Sequence, residues 1–389
     1  MKKIAIIEIY SHHVFVHTLA SALLASGHDV TVYVSARIFR DLDPMFLPDD
    51  RKPNYCVSED KENDFKFLDR IKSQIDKDYD LLFINSIQGY RIIYFYLLRF
   101  DVTTLCAAGR ISEFFGSRYR VRGFNNLRQV LHHNYTKFLL PKVLKRLAGI
   151  IVHSNKARAL ALSEGYARPI HCMPFSLHTN SNAEVRRSTL QPVRFMITGS
   201  ISCRSRDYFA VLDVFEEIWR DGLKNIELTV LSSPKTKYGF EVYKKMEDLC
   251  ADGYPIKYFS GWIPEADFVS HSSRADFLIA PIRKEYYGSG EITSVEVEST
   301  RMGIPAFYPD WYFIDDTKKD SSIEFSSYKH LQQMIAAISK DTSAVESARL
   351  LALSNAENFS VNCVAKKFSN FLSDEFDIPS IFNEGIGGD

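Results

Sequence analysis

Three carboxylates, Glu285, Glu291 and Glu298, surround a glycine-rich turn, Gly288-Ser289-Gly290, which is followed closely by Thr293 and Ser294. The stretch Ala275 to Pro305 reads as a buried strand (Phe277, Leu278, Ile279), this turn, a helix opening at Glu291 and stopping at Gly303, and a strand from Pro305 to Tyr308. A strand that feeds a glycine-rich turn at a helix N-terminus makes an anion site, because the first N–H groups of the helix lack internal partners. Gly290, Ile292, Thr293 and Ser294 supply the amides and hydroxyls there, and Glu291 and Glu298 lie two helical turns apart on one face. Amides for a pyrophosphate with a carboxylate for ribose hydroxyls suit a nucleotide. The same residues would also serve an ordinary βαβ unit with solvated glutamates.

Two further groups carry candidate chemistry. Val193 to Gly199 is a buried strand, and the turn after Gly199 holds Ser200, Ser202, Arg204 and Arg206, either arginine being placed to meet a phosphate. Charge-assisted bonds to phosphate contribute roughly 1.5–3 kcal/mol each, against about 0–1 for a surface pair. At the other end of the chain, His12, His13 and His17 cluster after the first strand. His13 and His17 share a helical turn, yet no HExxH or carboxylate pattern accompanies them, so no metal is expected. A general base or acceptor-orienting role for His12 or His13 suits an ordinary imidazole pKa near 6.5.

The elements that position these groups alternate. Strands are expected at 3–7, 28–33, 81–85, 102–106, 149–154 and 169–173, and again at 193–199, 226–231, 256–259, 277–279 and 305–308, with helices between them. Continuous apolar strands alternating with amphipathic helices argue a parallel α/β sheet, with ligands at the carboxyl ends of the strands. The polar run Leu177 to Gln191 is the natural linker. The domains expected are 1–180, 192–360, a C-terminal helix over 361–376 and a disordered tail over 377–389. No G-x-G-x-x-G follows the first strand, which excludes the common dinucleotide fold.

With 48 basic and 48 acidic residues the formal net charge is zero, and no nucleic-acid partner is expected from the whole-molecule field. Six cysteines without a C-x-x-C pair, no signal-like leader and no long apolar run predict a cytoplasmic protein. The charge is uneven, however. From Phe114 to Ser163 there is no acidic residue, and the segment 118–158 interleaves Arg and Lys with Leu, Val and Phe. This reads as an interfacial element on the inner face of a membrane, or as a groove for an anionic ligand.

In order along the chain, the "GH-x-V" second strand, "G-I-I-V-x-S", "F-x-G-x-I-P" at Phe259 to Pro264 and "E-x-x-x-x-G-x-P" at Glu298 to Pro305 resemble the GT-B glycosyltransferases, above all the large retaining group with an E-x7-E motif. The resemblance implies two Rossmann-like parallel-sheet domains facing a cleft, with C-terminal helices crossing back to the first. It implies metal-independent transfer of a sugar from a nucleotide-diphosphate donor, UDP- or GDP-linked, to a glycan or lipid-linked acceptor in polysaccharide or glycoconjugate biosynthesis, with no further cofactor. Glu298, Gly303 and Pro305 match the ribose-binding Glu and its G-x-P. The first acidic role falls to Glu285 counting forward from Pro281, or to Glu291 beside the counted-back position at Gly290. Gly199, Arg204, Arg206, Gly261 and Trp262 would border the donor, and His12, His13 and Arg110 the acceptor. The chain departs from the family in lacking a Gly-Gly first turn and a His after Cys106. Two other functions fit the same pattern, a UDP-sugar 2-epimerase and a non-catalytic scaffold on the same fold.

Overall fold

The structure, a computed structural model, describes residues 1–10, 12–46, 51–60, 62–85, 93, 96–109, 138–178, 192–261, 263–287, 291–379 and 382. The chain divides into two compact units, Met1–Ser176 with Val361–Asp389, and Leu177–Ser360. Each is a parallel sheet, as the strand and helix patterning predicts.

The first unit runs β1 (Lys3–Glu8), α1 (His13–Ala25), β2 (Asp29–Val34), α2 (Ala36–Leu42), β3 (Asn54–Val57), α3 (Asp64–Asp78), β4 (Leu81–Ile84), β5 (Thr104–Ala107), β6 (Gly149–Val152), α4 (Asn155–Ser163) and β7 (Ile170–Cys172). Its sheet order is β3-β2-β1-β4-β5-β6-β7. Because β1 is flanked by β2 and β4, the order reverses there, and the crevice at the carboxyl ends of β1 and β4 is the ligand position of such sheets. β4, β5 and β6 are buried throughout, consistent with their unbroken apolar sequences.

The second unit runs β8 (Val193–Thr198), α5 (Tyr208–Arg220), β9 (Ile226–Leu231), α6 (Lys237–Ala251), β10 (Ile256–Tyr258), α7 (Glu265–Ser272), β11 (Phe277–Ile279), α8 (Lys284–Tyr287), α9 (Ser294–Met302), β12 (Ala306–Pro309), α10 (Asp316–Lys319), β13 (Ser322–Phe325), α11 (Tyr328–Ile338) and α12 (Thr342–Ala356). Its order, β10-β9-β8-β11-β12-β13, reverses between β8 and β11. Stacked Phe195 and Phe277 (5.5 Å between rings), with Phe215 and Phe307, centre the core on those two strands.

A last helix, α13 (Val361–Phe376), returns to the first unit and packs on α1. Its small polar contact is buried: Ser369 Oγ lies 2.7 Å from Ser26 Oγ, which donates in turn to Ala22 O. Phe368 and Phe371 lie against the His171 ring at 5.1 and 4.7 Å.

Several elements were not anticipated. β3 and β13 are the edge strands of their sheets, half exposed and without the apolar run of a central strand. The charged stretch 315–320 contains α10, whose Lys318 is buried. About half of the basic segment (118–137), most of the linker (179–191) and most of the tail (380–381 and 383–389) lie outside the described residues.

Two buried histidines make the first unit sensitive to acid. His28 is 1% exposed with no partner on either ring nitrogen, and burial lowers its pKa to about 4. Burial, helped by the charges of Arg158 and Lys367, lowers His171 likewise to about 4. An unfolded chain takes up these protons near pH 6.5 and the folded one does not. The stability they contribute is therefore present above pH 6.5 and lost as pH falls toward 4, by up to about 3 kcal/mol per group. His171→Phe should flatten the fall in denaturant midpoint between pH 6.5 and 4.5 relative to wild type; parallel curves would show that His171 does not carry it.

Candidate donor site at the sheet reversal of the second unit

The expected strand, turn and helix form, but the helix starts later than the sequence pattern suggests. α9 begins at Ser294 with Thr293 as its N-cap, Thr293 Oγ1 accepting from Glu296 N at 3.0 Å. Glu291 and Ile292 lie in the turn before it, so Glu291 and Glu298 are not on one helical face. The N-cap overrode the E-x7-E periodicity: threonine at the cap ties the Glu296 amide, and Thr293 O takes that of Val297. The donors left to the helix mouth are the amides of Ser294 and Val295. At the far end Gly303, at φ 59°, closes the helix, and Arg349 Nη1 donates to its carbonyl at 3.2 Å.

Facing this mouth is the end of β8. Gly199 adopts φ 94°, and a Cβ there would stand 2.2 Å from Ser294 Oγ and 2.5 Å from Arg206 Nη2. Only a glycine allows this approach. Arg206 is 2% exposed and lies across the reversal between β8 and β11. Its Nη1 donates to Thr198 O and its Nη2 to Ser294 Oγ, both at 2.7 Å. The loop that carries it is sewn to the strand opposite: Arg206 bridges Ile282, Asp207 N donates to Pro281 O at 2.6 Å, and Arg283 pairs with Asp207 at 3.1 Å. Tyr208, whose hydroxyl donates to Gly199 O at 2.7 Å, fixes the turn from below, and burial pushes its pKa up to about 12.

The electrostatics of this point are unbalanced. The Arg206 guanidinium is buried, forms no ion pair among the described residues, and its Nε has no hydrogen-bond partner. It stands against the N-terminus of α9, itself the positive end of a helix dipole. A buried cation next to a positive helix end is costly unless an anion completes it.

The remaining predicted residues separate. Arg204 is exposed and stacks 5.5 Å over the Tyr286 ring. Glu285 is exposed on α8, whereas Glu291 is 6% exposed. Glu298 is 9% exposed on α9, 3.9 Å from Arg301. Gly261 is exposed after β10, and Trp262, Gly290 and Arg110 lie outside the described residues. His12 is exposed at φ 69° with its ring edge-on to Phe175 at 5.7 Å, and His13 is the half-buried first residue of α1.

Sequence reasoning overlooked three groups. Glu296 is buried, ion-paired with Lys318 at 2.7 Å and bonded by the Tyr312 hydroxyl, which also accepts from Thr293 N at 3.3 Å; this pins the turn before α9. Burial and the Glu296 charge push the Tyr312 hydroxyl well above its usual range. In the first unit, Glu8 closes β1 at 2% exposure and accepts from Tyr10 N and Asn85 Nδ2, both at 2.7 Å. The turn after Cys106 has no histidine, but β6 ends in His153, whose Nε2 lies 4.0 Å from where a Gly109 Cβ would be. A polar residue at the end of an apolar strand or just after it was the available signal for Glu8 and His153.

Residues 13–180 match the family model described as Glycosyltransferase Family 4. A sequence search of curated proteins finds no match. Among solved structures, HepE of Anabaena in complex with UDP and glucose superposes with a TM-score of 0.64 at 10% identity, covering 96% of this chain and 100% of that one. A UDP-forming α,α-trehalose-phosphate synthase from Burkholderia xenovorans gives 0.61 at 9% identity, over 96% and 99%. A putative UDP-N-acetylglucosamine 2-epimerase from Listeria monocytogenes gives 0.59 at 11%, over 97% and 97%. At these identities the likeness establishes the fold, which transferase and epimerase share. Two parallel sheets with reversals at β1 and β8 give the chain the fold of these proteins, and its residues 13–180 resemble glycosyltransferase family 4.

Proposed function

We propose that the protein transfers a sugar from a nucleotide-diphosphate sugar to a glycan or lipid-linked acceptor, with the donor diphosphate at Gly199, Arg206 and the mouth of α9. The buried Arg206, without a carboxylate partner and aimed at a helix N-terminus, is the observation that carries the donor site. Such a site neutralises the departing diphosphate without a metal, because its donors are fixed before the charge develops. Arg206 is the rigid member, its terminal nitrogens held by Thr198 O and Ser294 Oγ and its Nε left for the anion. Arg204, exposed on Tyr286, is the cation that can swing onto the outer phosphate. Glu298 would take the ribose hydroxyls. Of the two candidates for the first acidic role, Glu285 is accessible without rearrangement and Glu291 is buried. UDP is the favoured carrier, since the solved structures similar to this one include complexes with UDP and UDP-glucose.

The segment 118–158 is the proposed membrane contact, in keeping with a lipid-linked acceptor made at a cytoplasmic membrane face. Its described end, the helical residues 138–146, carries Phe138 at 65% exposure with Lys142 Nζ 4.1 Å above the ring, and Lys145 is also exposed. Each cation at an anionic leaflet contributes about 1 kcal/mol. Among the described residues no helix is long and apolar enough to cross a membrane.

Calorimetry with UDP, GDP, CMP and ADP tests the donor reading. One nucleotide should bind in the micromolar range, and Arg204→Ala and Glu298→Ala should each weaken it roughly tenfold. Binding of none of the four would favour the scaffold; unchanged affinity in Glu298→Ala would free the ribose from that residue. Separately, co-sedimentation with vesicles containing phosphatidylglycerol should exceed that with phosphatidylcholine alone and fall with salt. Equal recovery on both would remove the membrane assignment.

A further inference from the structure

The two units carry the same surface device. Apart from Met1, the most exposed large apolar side chains among the described residues are Phe138, at 65%, and Phe240, at 61%. Each has a lysine four residues on, Lys142 and Lys244, which puts ring and cation on one helical face. Phe138 belongs to the basic segment 118–158. Phe240 lies in the second unit, in the first turn of α6, where the sequence has no comparable run of basic residues.

The start of α6 presents Phe240 on a fixed backbone. Thr236 is the N-cap, its Oγ1 accepting from Gly239 N at 3.1 Å, and Phe240 N donates to Thr236 O at 3.0 Å. A Cβ on Gly239 would stand 3.2 Å from Pro234 Cα, so the preceding turn closes tightly on this position. The helix buries Val242, Tyr243, Met246 and Leu249. Its other side begins with Lys237, Phe240 and Lys244, spaced three and four residues apart. All three are exposed, as is Lys235 in the turn. Glu241, 3.9 Å from Lys237, offsets one of these charges, and Lys245 is paired with Glu216 of α5 at 3.1 Å. Further along, Glu247 and Asp248 make the exposed side acidic, so the basic character is confined to the N-terminal end.

We propose that this end of α6 is a membrane contact of the second unit, with Phe240 inserted between anionic phospholipid headgroups and Lys235, Lys237 and Lys244 around it. Lys237 and Lys244 start roughly 10 Å apart along the helix axis, with the ring between them. Cations spread in this way suit an array of headgroups rather than one phosphate, and the ring gains only by leaving water. The inference deepens the membrane reading of segment 118–158 and rests on it. It puts the contact at the carboxyl end of β9, beside the proposed donor turn. Tyr238, next to Lys237 on α6, has its hydroxyl 3.3 Å from Tyr208 N and 3.4 Å from Arg206 O. A lipid-linked acceptor would meet the second unit at that edge.

The test combines co-sedimentation with phosphatidylglycerol vesicles and the fluorescence of Phe240→Trp. On adding vesicles, the indole introduced there should shift to the blue and be quenched by brominated lipid, beyond any change that wild type shows. Phe240→Ser should bind the vesicles roughly fivefold to tenfold more weakly, and Lys237→Gln combined with Lys244→Gln roughly tenfold or more. Both should keep the wild-type Tm and UDP affinity, since the three side chains project into solvent. An unshifted, unquenched indole, or full vesicle binding by Phe240→Ser, would overturn the inference and leave segment 118–158 in place. If Phe240→Ser instead changes the mass measured by light scattering and not vesicle binding, the ring covers a second copy of the chain and the inference falls. A wild type that ignores the vesicles removes both membrane contacts; its UDP affinity then tests the donor reading separately.

Discussion

The second unit depends on an absence of atoms at Gly199. No side chain fits between the end of β8 and the mouth of α9, because the space is taken by Ser294 Oγ and the Arg206 guanidinium. The left-handed turn lets β8 end there, turns its carbonyls onto Arg206 and Tyr208, and brings a fixed cation to a helix N-terminus. Like-signed partial charges gathered in a buried place raise the energy of the empty site. On the proposed donor reading, a bound diphosphate would relieve that energy, and the arrangement that costs stability would give affinity for an anion. Everything around it resists relaxation: Asp207 and Arg283 hold the loop to the opposite strand, and the Glu296–Lys318–Tyr312 cluster holds the turn before α9.

The first unit solves a different problem with the same topology. Its sheet reversal carries no such cation among the described residues; it ends in a carboxylate, Glu8, that orients an amide. The two reversals therefore differ in what they bury, an arginine in the second unit and a carboxylate in the first. α13 belongs to the first unit through Ser369, Phe368 and Phe371, so the chain that leaves that unit near Ser176 also returns to it.

Much of this was legible in the sequence, for identifiable reasons. Central strands such as Leu81–Ile84 and Gly149–Val152 are apolar on both faces and announce themselves, as do amphipathic helices such as α3 and α5. The helix stop at Gly303 was legible because turn chemistry is local. What escaped depended on contacts between distant residues. The start of α9 was misplaced because Thr293 outweighs the glutamates before it as a cap. The burial of Arg206 could not be read from a loop of serines and arginines, since it arises from Ile282 and Ser294 far along the chain. The contacts of Asn85 with Glu8 and of His153 with Met173 span 77 and 20 residues.

The most direct measurement of the central claim is the UDP affinity of Gly199→Ala, taken on protein shown by circular dichroism to be folded. A methyl group at that φ is strained by about 1–3 kcal/mol and must displace Ser294 or Arg206 from the positions that define the anion site. The account predicts UDP binding weakened roughly tenfold or more, the loss of at least one charge-assisted bond. A folded Gly199→Ala protein with wild-type UDP affinity would show that the diphosphate does not sit at this turn.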